Sequence, residues 1–219
     1  MKIGVISDTH VRRATRDLPL DLLLRLDRVD LILHAGDLTR LDVLERLARI
    51  APVWAVYGNC DGPDVYLALP RRLIVEVAGF RIGLIHGNGG TGGALATASA
   101  AFPRKLELPA DPTLEQLEPS IANDPERGAR RSSTGATGEA GVTGTLASAA
   151  TGDPAEQPVD CVVFGHSHQA LCERRGGRLL LNPGSPTEPR FGRRPSFGLL
   201  WLDEVAREVR GEIIELGNG

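Results

Sequence analysis

Five short polar motifs along the chain carry side chains that bind metal ions. They are Asp8-Thr9-His10, Gly36-Asp37, Gly58-Asn59-Cys60-Asp61, His86-Gly87 and Gly165-His166-Ser167-His168. Their carboxylate, imidazole and amide donors suit manganese, iron, zinc, nickel or cobalt. The donors suffice for two ions, and Asp37 is a natural bridge between them. Two ions roughly 3.5–4 Å apart would clamp a phosphoryl group and activate a bridging water, as hydroxide, for attack on phosphorus.

Taken singly, each motif also has an ordinary structural explanation. Asp8-Thr9-His10 arises often by chance, Gly58-Asn59 is typical of a turn, and His86 is compatible with a buried core histidine. Asp37 is compatible with a residue that simply precedes a helix. The histidine pair of Gly165-His166-Ser167-His168 is the most specific signal. It is the order of all five motifs along one chain that favours a catalytic metal centre.

The first three motifs follow segments that are typical of buried strands. Strand, helix, strand, helix and strand are predicted in turn at residues 2–7, 18–28, 29–34, 39–48 and 52–57. Thr39 is the predicted N-cap of the second helix, with Asp42 three residues on. This alternation predicts a parallel sheet with right-handed crossovers. Ligands of open α/β sheets bind at the carboxyl ends of the strands, which is where the motifs stand.

The second half of the chain predicts a second sheet. Residues 72–77 and 81–85 form a predicted hairpin about Ala78-Gly79-Phe80. Further strand-like segments lie at 159–164, 178–181, 197–202 and 208–216, and together they predict a second sheet that contains antiparallel pairs. The predicted fold class is α/β, a four-layer α-β-β-α sandwich with two stacked mixed sheets. His86-Gly87 and the histidine pair again follow strand ends.

A segment at about 110–157 interrupts this order. It is rich in Ala, Gly, Thr, Ser and Pro. Such a composition buries too little apolar surface to offset the entropy of ordering, so we predict a largely disordered insertion. A passive linker is the simpler interpretation, and a lid over the site is the alternative. The whole chain, 1–219, is otherwise predicted to form a single domain.

Composition narrows the classes of partner. The formal net charge is −3 and the pI is about 6.0, which gives no basic groove for a long nucleic acid. Apolar runs long enough to cross a membrane are absent from the sequence, and so is a signal-peptide pattern. The three cysteines, Cys60, Cys161 and Cys172, are odd in number and lack paired zinc spacing. We therefore expect a reduced, cytoplasmic protein.

With Ser7, His34 and Asn182-Pro-Gly-Ser185 added, the motifs resemble the calcineurin-like metallophosphoesterase superfamily, and within it the small prokaryotic phosphodiesterases of the YfcE type. The resemblance covers nearly all of the chain except the insertion, and it implies the metallo-dependent phosphatase-like sandwich. It implies a first ion held by Asp8, His10 and His168, a second held by Asn59, His86 and His166, and Asp37 bridging both.

Two positions depart from the family pattern. Cys60 stands where many members carry a histidine that contacts the substrate and protonates the leaving group, although the YfcE type commonly has cysteine there. A neutral thiol is a weak donor, so we expect an enzyme that favours good leaving groups. Asn88 stands where relatives often have a second histidine. We interpret that change as the loss of a supporting contact and not of a metal ligand.

Several residues are weaker candidates. The catalytic candidates are Asp37, Asn59, Cys60 and Asp61, and the substrate-binding candidates are Arg12, Asn182 and Ser185. For Asp61, orienting a metal ligand and forming a turn are equally weighted roles. His34 is expected to pack or to support a ligand. Arg13 and Arg190 are also able to meet phosphate, but solvated arginines are commoner.

The sequence therefore predicts a metal-dependent phosphoesterase. We expect a small phosphodiester substrate, with monoesters as a further class, and two divalent ions. Manganese is the first choice, with nickel, iron, zinc or cobalt as alternatives. A non-catalytic, retromer-type scaffold of the same fold and a nucleotide or cyclic-nucleotide phosphodiesterase are the competing hypotheses. A homo-oligomer is compatible with the sequence.

Overall fold

A computed structural model of the protein describes residues 1–11, 17–102 and 158–217, and the backbone of residues 148–149. The chain divides into two compact units. One consists of Met1–Lys105 with Thr145–Gly219, and the other of Leu106–Gly144. The second unit lies outside the described residues, as does the predicted insertion apart from its two residues in a strand. Everything below concerns the first unit.

The described chain contains four helices and eleven strands. In order they are β1 (Lys2–Ile6), α1 (Leu20–Leu26), β2 (Leu31–His34), α2 (Asp42–Ala48), β3 (Val53–Ala55), α3 (Pro63–Ala68), β4 (Arg72–Val77), β5 (Phe80–Ile85), α4 (Gly93–Ala101), β6 (Ser148–Ala149), β7 (Cys161–Val163), β8 (Leu171–Arg175), β9 (Arg178–Asn182), β10 (Ser196–Asp203) and β11 (Glu208–Glu215). Within the described residues, every helix is too short or too polar to span a lipid bilayer.

The strands form two mixed sheets. The first has the order β11-β10-β1-β2-β3, in which β1, β2 and β3 are parallel, as predicted. The second has the order β6-β4-β5-β7-β9-β8, in which β5, β7 and β9 are parallel and the predicted β4–β5 hairpin is present. Each sheet thus gathers three strand ends along one edge.

Side-chain alternation along the strands stacks the sheets on one another. On β1 and β2, Ile3 and Leu31 point to the core between the sheets, while Ile6 and Ile32 point to the outer face. The inner core also takes Cys161, which is buried among apolar residues as predicted. This period of two is the signature of a sheet buried on both faces.

Helices cover both outer faces. Leu22 and Leu26 of α1, with Leu47 of α2, pack on the first sheet. Ala94 and Ala98 of α4 pack on the second sheet. The predicted four-layer α-β-β-α sandwich is therefore confirmed.

Two sequence-based predictions of local structure are wrong. The last two strands, β10 and β11, join the first sheet and not the second, because β10 pairs antiparallel with β1. Thr39 does not cap α2: the helix begins at Asp42, Leu41 occupies the cap position, and no side chain caps it. Thr39 instead has a positive φ of 68° and donates its N–H to Asp61.

Candidate metal centre

The loops that follow the parallel strands are joined to one another at the sheet edge. The backbone N–H of Asp8 donates to the Gly36 carbonyl at 3.0 Å, which ties the β1 loop to the β2 loop. In the second sheet, Gly165 N–H donates to the His86 carbonyl, also at 3.0 Å. The two sheets meet where His166 N–H donates to Asp8 Oδ2 at 3.0 Å. Loops from both sheets therefore share one centre.

Backbone strain is concentrated in these loops. Nine non-glycine residues of the described chain have positive φ, and five of them are predicted metal ligands. Those five are Asp8, His10, Asp37, His166 and His168, with φ between 42° and 67°. Such conformations cost of the order of 1 kcal/mol or more each and persist where the surrounding structure enforces them, commonly at functional sites. The concentration of strain marks this edge as the candidate site.

A single carboxylate oxygen of Asp8 lies at the middle of the cluster. Asp8 Oδ1 is 3.3 Å from His168 Nε2, 3.9 Å from His10 Nε2 and 4.0 Å from His86 Nε2. The oxygen is buried and has no hydrogen-bond partner among the residues that the structure describes. Buried polar atoms are nearly always paired, because leaving one unpaired costs about 1–3 kcal/mol. A cation coordinated by this oxygen and the imidazoles would satisfy it.

Asp37 faces the same centre from the first sheet. Its Oδ1 accepts the backbone N–H of Cys60 at 2.7 Å. Its Oδ2 lies 3.2 Å from His86 Nε2 and 3.7 Å from His10 Nε2. Despite this contact, His86 Nε2 has no partner of hydrogen-bond geometry among the described residues. Asp37 thus presents one anchored oxygen and one oxygen aimed at the imidazoles.

Backbone carbonyls fix the orientation of two of the imidazoles. His86 Nδ1 lies 2.7 Å from the Ala35 carbonyl, and His168 Nδ1 lies against the Glu188 carbonyl. A carbonyl only accepts, so each ring donates Nδ1–H and turns the lone pair of Nε2 to the centre. This is the usual arrangement of metal-binding histidines. His10 stacks on His168 with the two Nε2 atoms 3.3 Å apart.

Charges in the centre shift its titrating groups. Burial raises the pKa of Asp8, although His86 and His168 oppose that effect. Burial also acts to raise the pKa of Asp37, but its contacts with His86 and Cys60 together outweigh this and hold the pKa well below its usual range. Conversely, Asp37 and Asp8 overcome the effect of burial and raise the pKa of His86. The centre thus favours positive charge, which a divalent cation would supply.

Donor atoms fall into three overlapping groups, each with its atoms within 4.8 Å of one another. The groups are Asp8 with His10 and His168, Asp8 with Asp37 and His86, and His10 with Asp37 and Cys60. The first is the triad expected for one ion. The second joins Asp37 to a histidine expected for the other ion. The donor groups therefore fit a divalent metal centre, and His166 belongs to none of them among the described residues.

The remaining predicted ligands lie on the open side of the cluster. His166 is half-buried, and its ring meets His86 edge to face with centroids 5.3 Å apart. Asn59 is exposed, and its amide lies 3.4 Å from Cys60 Sγ. Tyr66 of α3, which sequence reasoning missed, donates its hydroxyl to the Asn59 carbonyl at 3.3 Å. The solvent-facing rim of the site is thus built from the β3 and β7 loops.

Asp61 binds the two loops of the first sheet together. Its Oδ2 accepts the N–H groups of Gly58 at 2.7 Å and Asp37 at 3.0 Å, and its Oδ1 accepts that of Thr39 at 2.6 Å. The residue is buried. Burial raises the pKa of the Asp61 carboxyl, against the opposing effect of these donors. Of the two predicted roles, this geometry favours the orientation of a metal ligand.

His34 is fully occupied within the protein. Its Nδ1 accepts the N–H of Gly36 at 3.2 Å, so Nε2 carries the proton and donates to Thr9 Oγ1 at 3.1 Å. Complete burial lowers the pKa of His34 to about 3, which keeps the ring neutral. His34 therefore supports the loops, as expected, with both ring nitrogens engaged.

The predicted substrate contacts Asn182 and Ser185 lie beneath the site. Asn182 donates to the Gly165 carbonyl at 2.8 Å, and Ser185 donates to the Asp8 carbonyl at 2.7 Å. Both side chains are fully buried. That placement favours support of the ligand loops, and contact with substrate stays a prediction. Arg12, the third predicted contact, lies outside the described residues.

Glycine is required where the loops approach one another. A Cβ at Gly165 would lie 1.9 Å from Ser7 Oγ and 2.7 Å from Asp8 Oδ2. One at Gly58 would lie 2.2 Å from Asp37 Oδ1 and 2.7 Å from Asp37 N. No rotamer change of a distant side chain relieves these clashes, because the atoms belong to anchored groups. The glycines of the motifs thus allow the carboxylates to reach the centre.

Gly58→Ala should weaken divalent-metal binding by about tenfold or more, because the added methyl displaces Asp37. Gly62→Ala is the matched control, since its Cβ would meet only the end of the flexible Asp64 side chain, at 2.9 Å. Isothermal calorimetry with manganese would compare the two variants. Equal affinities would show that Asp37 tolerates displacement and would remove this packing argument.

Comparison with known proteins agrees with this geometry. A family model described as the calcineurin-like phosphoesterase superfamily domain matches residues 1–108 and 131–205. The chain belongs to this superfamily. The phosphoesterase is 32% identical over 217 residues to a protein of Methanothermobacter thermautotrophicus named "Probable metallophosphoesterase", covering 99% of this chain and 94% of the relative. The resemblance predicted from the motifs is confirmed.

Solved structures show the same fold. Vps29 from Entamoeba histolytica, complexed with zinc, aligns with the phosphoesterase at a TM-score of 0.58 and 22% identity, covering 98% of this chain and 99% of that one. A structure described as a novel archaeal phosphodiesterase aligns at a TM-score of 0.52 and 20% identity. The alignment covers 98% of this chain and 100% of that one. At these identities the likeness concerns the fold alone.

Proposed function

We propose that this phosphoesterase hydrolyses small phosphodiesters, with monoesters as a further substrate class, using two divalent ions. The observation that carries the proposal is Asp8 Oδ1, a buried oxygen with three imidazole nitrogens within 4.0 Å and no hydrogen-bond partner in the described residues. The archaeal neighbour that is named a phosphodiesterase supports the diester. The formal net charge of −3 supports a small substrate over a long polyanion.

Each ligand residue has a proposed place. Asp8, His10 and His168 would hold one ion, Asn59, His86 and His166 the other, with Asp37 shared between them. When bound, the ions would polarise the phosphoryl oxygens and supply the attacking hydroxide at neutral pH from a shared water. Manganese is our first choice, and the neighbour complexed with zinc supports zinc among the alternatives.

The protein's own contribution is to place these donors and to keep them in place. Asp61 fixes the loop that carries Asp37 through the N–H groups of Asp37 and Thr39, and links it to the β3 loop through that of Gly58. Ser185 holds the β1 loop through the Asp8 carbonyl. The Ala35 carbonyl holds the His86 ring, and the Glu188 carbonyl holds the His168 ring. Pre-organised ligands lose little entropy when ions and substrate bind. The competing scaffold hypothesis requires no metal ligands, and the donor groups present here support hydrolysis instead.

A leaving-group series tests the chemistry. Cys60 replaces the histidine that protonates the leaving oxygen in many relatives, and a thiol donates weakly. Aryl phosphodiesters should therefore react faster as the leaving phenol becomes more acidic. Across the series the rate should rise by roughly tenfold or more, which corresponds to a fall of about 1.36 kcal/mol or more in the activation free energy. Steady-state rates with saturating manganese would measure this. Rates independent of the phenol, under conditions where chemistry limits turnover, would contradict the absence of a strong acid.

A metal-reconstitution screen separates the candidate functions. Metal-free protein would be loaded with manganese, nickel, iron, zinc or cobalt and assayed against generic diesters, monoesters and cyclic nucleotides. Hydrolysis of generic diesters supports the proposal. Hydrolysis of cyclic nucleotides alone would favour the narrower phosphodiesterase, and inactivity with every metal would favour the scaffold.

A further inference from the structure

The thiol of Cys60 lies within the metal centre and not merely beside it. Its sulfur and donor atoms of His10 and Asp37 all lie within 4.8 Å of one another. The Cys60 N–H donates to Asp37 Oδ1 at 2.7 Å, which holds the residue over that carboxylate. Sequence reasoning treated Cys60 only as the replacement of a proton donor. Its position gives it a second chemistry.

A second observation points to a ligand at the same place. Asp8 Oδ1 and His86 Nε2 are buried atoms that lack hydrogen-bond partners within the described part of the chain, and both are aimed at the centre that Asp37 Oδ2 also faces. Both side chains are at least nine-tenths buried. The centre is therefore built to receive a cation, and Cys60 lies on its exposed side, where an arriving ion would meet the sulfur.

The other cysteines provide a contrast. Cys161 is buried in the core between the sheets, and Cys172 is half-buried on β8. Within the described residues, neither belongs to a group of three potential metal donors. Any sulfur–metal contact at this site is thus assigned to Cys60.

We propose that Cys60 is a metal-selecting ligand: its thiolate coordinates zinc or another thiophilic ion held by His10 and Asp37, whereas it leaves manganese uncoordinated. Thiolates prefer zinc and related ions, while manganese prefers oxygen ligands. On coordination the sulfur–hydrogen bond breaks, the proton passes to solvent, and a sulfur–metal bond forms. This inference rests on the metal centre of the proposed function.

Coordination by Cys60 would also affect turnover. The sulfur is on the exposed side of the centre, where substrate must approach, so it would occupy a position that a phosphoryl oxygen needs. The zinc form should therefore turn over more slowly than the manganese form. Cys60→Ser should weaken zinc binding by roughly 10–100-fold, the range seen when support of a metal ligand is lost, and change manganese binding by less than about twofold.

Cobalt titration of the full-length, metal-free protein is the test. Cobalt bound by any ligand set gives weak visible bands, and only a thiolate ligand adds an intense charge-transfer band in the near ultraviolet. We expect both signals in the wild type and in Cys172→Ser, the matched control. Cys60→Ser should keep the visible bands and lose the ultraviolet band.

The outcomes are distinguishable. Visible bands without the ultraviolet band in the wild type would overturn ligation by Cys60 and leave the metal centre standing. An ultraviolet band that survives in Cys60→Ser would overturn it also. Absence of every cobalt band would overturn both this inference and the proposed function. Calorimetry with zinc and manganese on the same variants measures the predicted selectivity directly.

Discussion

Replacing Asp37 with alanine is expected to abolish hydrolysis and to lower bound metal from two ions per chain to one or none. Asp37 faces His86 and His10 with one oxygen and belongs to two of the three donor groups. Losing one main electrostatic group of an active site costs at least about a hundredfold to a thousandfold in rate. The loss here should be at the upper end or beyond, because in the proposed centre both ions would share the residue.

The measurements for Asp37 are kcat/KM with manganese and the metal content of the purified protein. Asp37→Asn keeps the size and an acceptor for Cys60 N–H, but it removes the charge and replaces the second oxygen with an NH2 group, which cannot bind a cation. Asp21→Ala is a control on the exposed surface of α1, where the carboxylate pairs with Arg25. Metal-dependent activity that survived in Asp37→Ala would contradict the bridging role.

Asp61→Ala is expected to lower the free energy of unfolding by about 2–4 kcal/mol and to weaken metal binding at the same time. The substitution leaves the N–H groups of Gly58, Asp37 and Thr39 without their acceptor. Each unsatisfied, buried donor lowers the free energy of unfolding by about 1–3 kcal/mol. The total for the three donors is smaller than the sum of these losses, because rearrangement or entering water satisfies them in part. The loops of β2 and β3 then lose the link that fixes Asp37.

Chemical denaturation of the metal-free protein measures the Asp61 effect on folding without the contribution of bound metal. Asp203→Ala is a matched control, because Asp203 accepts two N–H groups, those of Val205 and Ala206, in an exposed turn. That variant should lose less than about 1 kcal/mol, since water replaces the lost acceptor. Equal losses in the two variants would show that Asp61 has no special supporting role.

The part of the fold that was predictable from the sequence depends on local patterns of apolar residues. Apolar runs such as Val53–Ala55 alternate with a helical stripe that includes Leu44 and Leu47 of α2. Such patterns determine which face of each element is buried, and the chain connections then require parallel pairing. The positions of the motifs at strand ends followed from the same patterns.

Long-range pairing could not be derived in that way. Strand β10 pairs with β1, so that Lys2 lies opposite Trp201, although the two are almost a whole chain apart. Nothing local distinguishes β10 from a strand of the second sheet. Strand β8 was missed because Leu171–Arg175 is a sheet-edge segment with three charged residues and no fully buried one.

Helix α4 was missed for a different reason. Its sequence consists almost entirely of small residues, which resemble the low-complexity segment that follows. Ala94 and Ala98 nevertheless pack on the second sheet, and the buried Arg178 donates to the carbonyls of Ser99 and Phe102 at the helix end. A buried arginine that caps a helix from another strand leaves no local signal.

The candidate site also has a part that was predictable from the sequence and a part that was not. Donor types and strand ends predicted that Asp8, His10, Asp37, His86 and His168 would meet, and the structure brings them together. The supporting contacts were not predictable. Ser185, for example, bonds the carbonyl of Asp8 across 177 residues of sequence.

Thr39 shows how this limit produced an error. A threonine before a helical stripe is typical of an N-cap. Here its N–H is bound by Asp61, and its hydroxyl donates to the Leu38 carbonyl at 2.7 Å. These hydrogen bonds hold Thr39 in the loop of the metal centre instead of at the start of α2, and the helix begins without a side-chain cap.

The most direct test of the central claim is a manganese titration of the metal-free protein, in which bound metal per chain and the rate of diester hydrolysis are recorded together. We predict that the rate reaches its maximum as binding approaches two ions per chain. Full activity at one ion per chain, or binding of two ions without any hydrolysis, would contradict a two-ion phosphodiesterase.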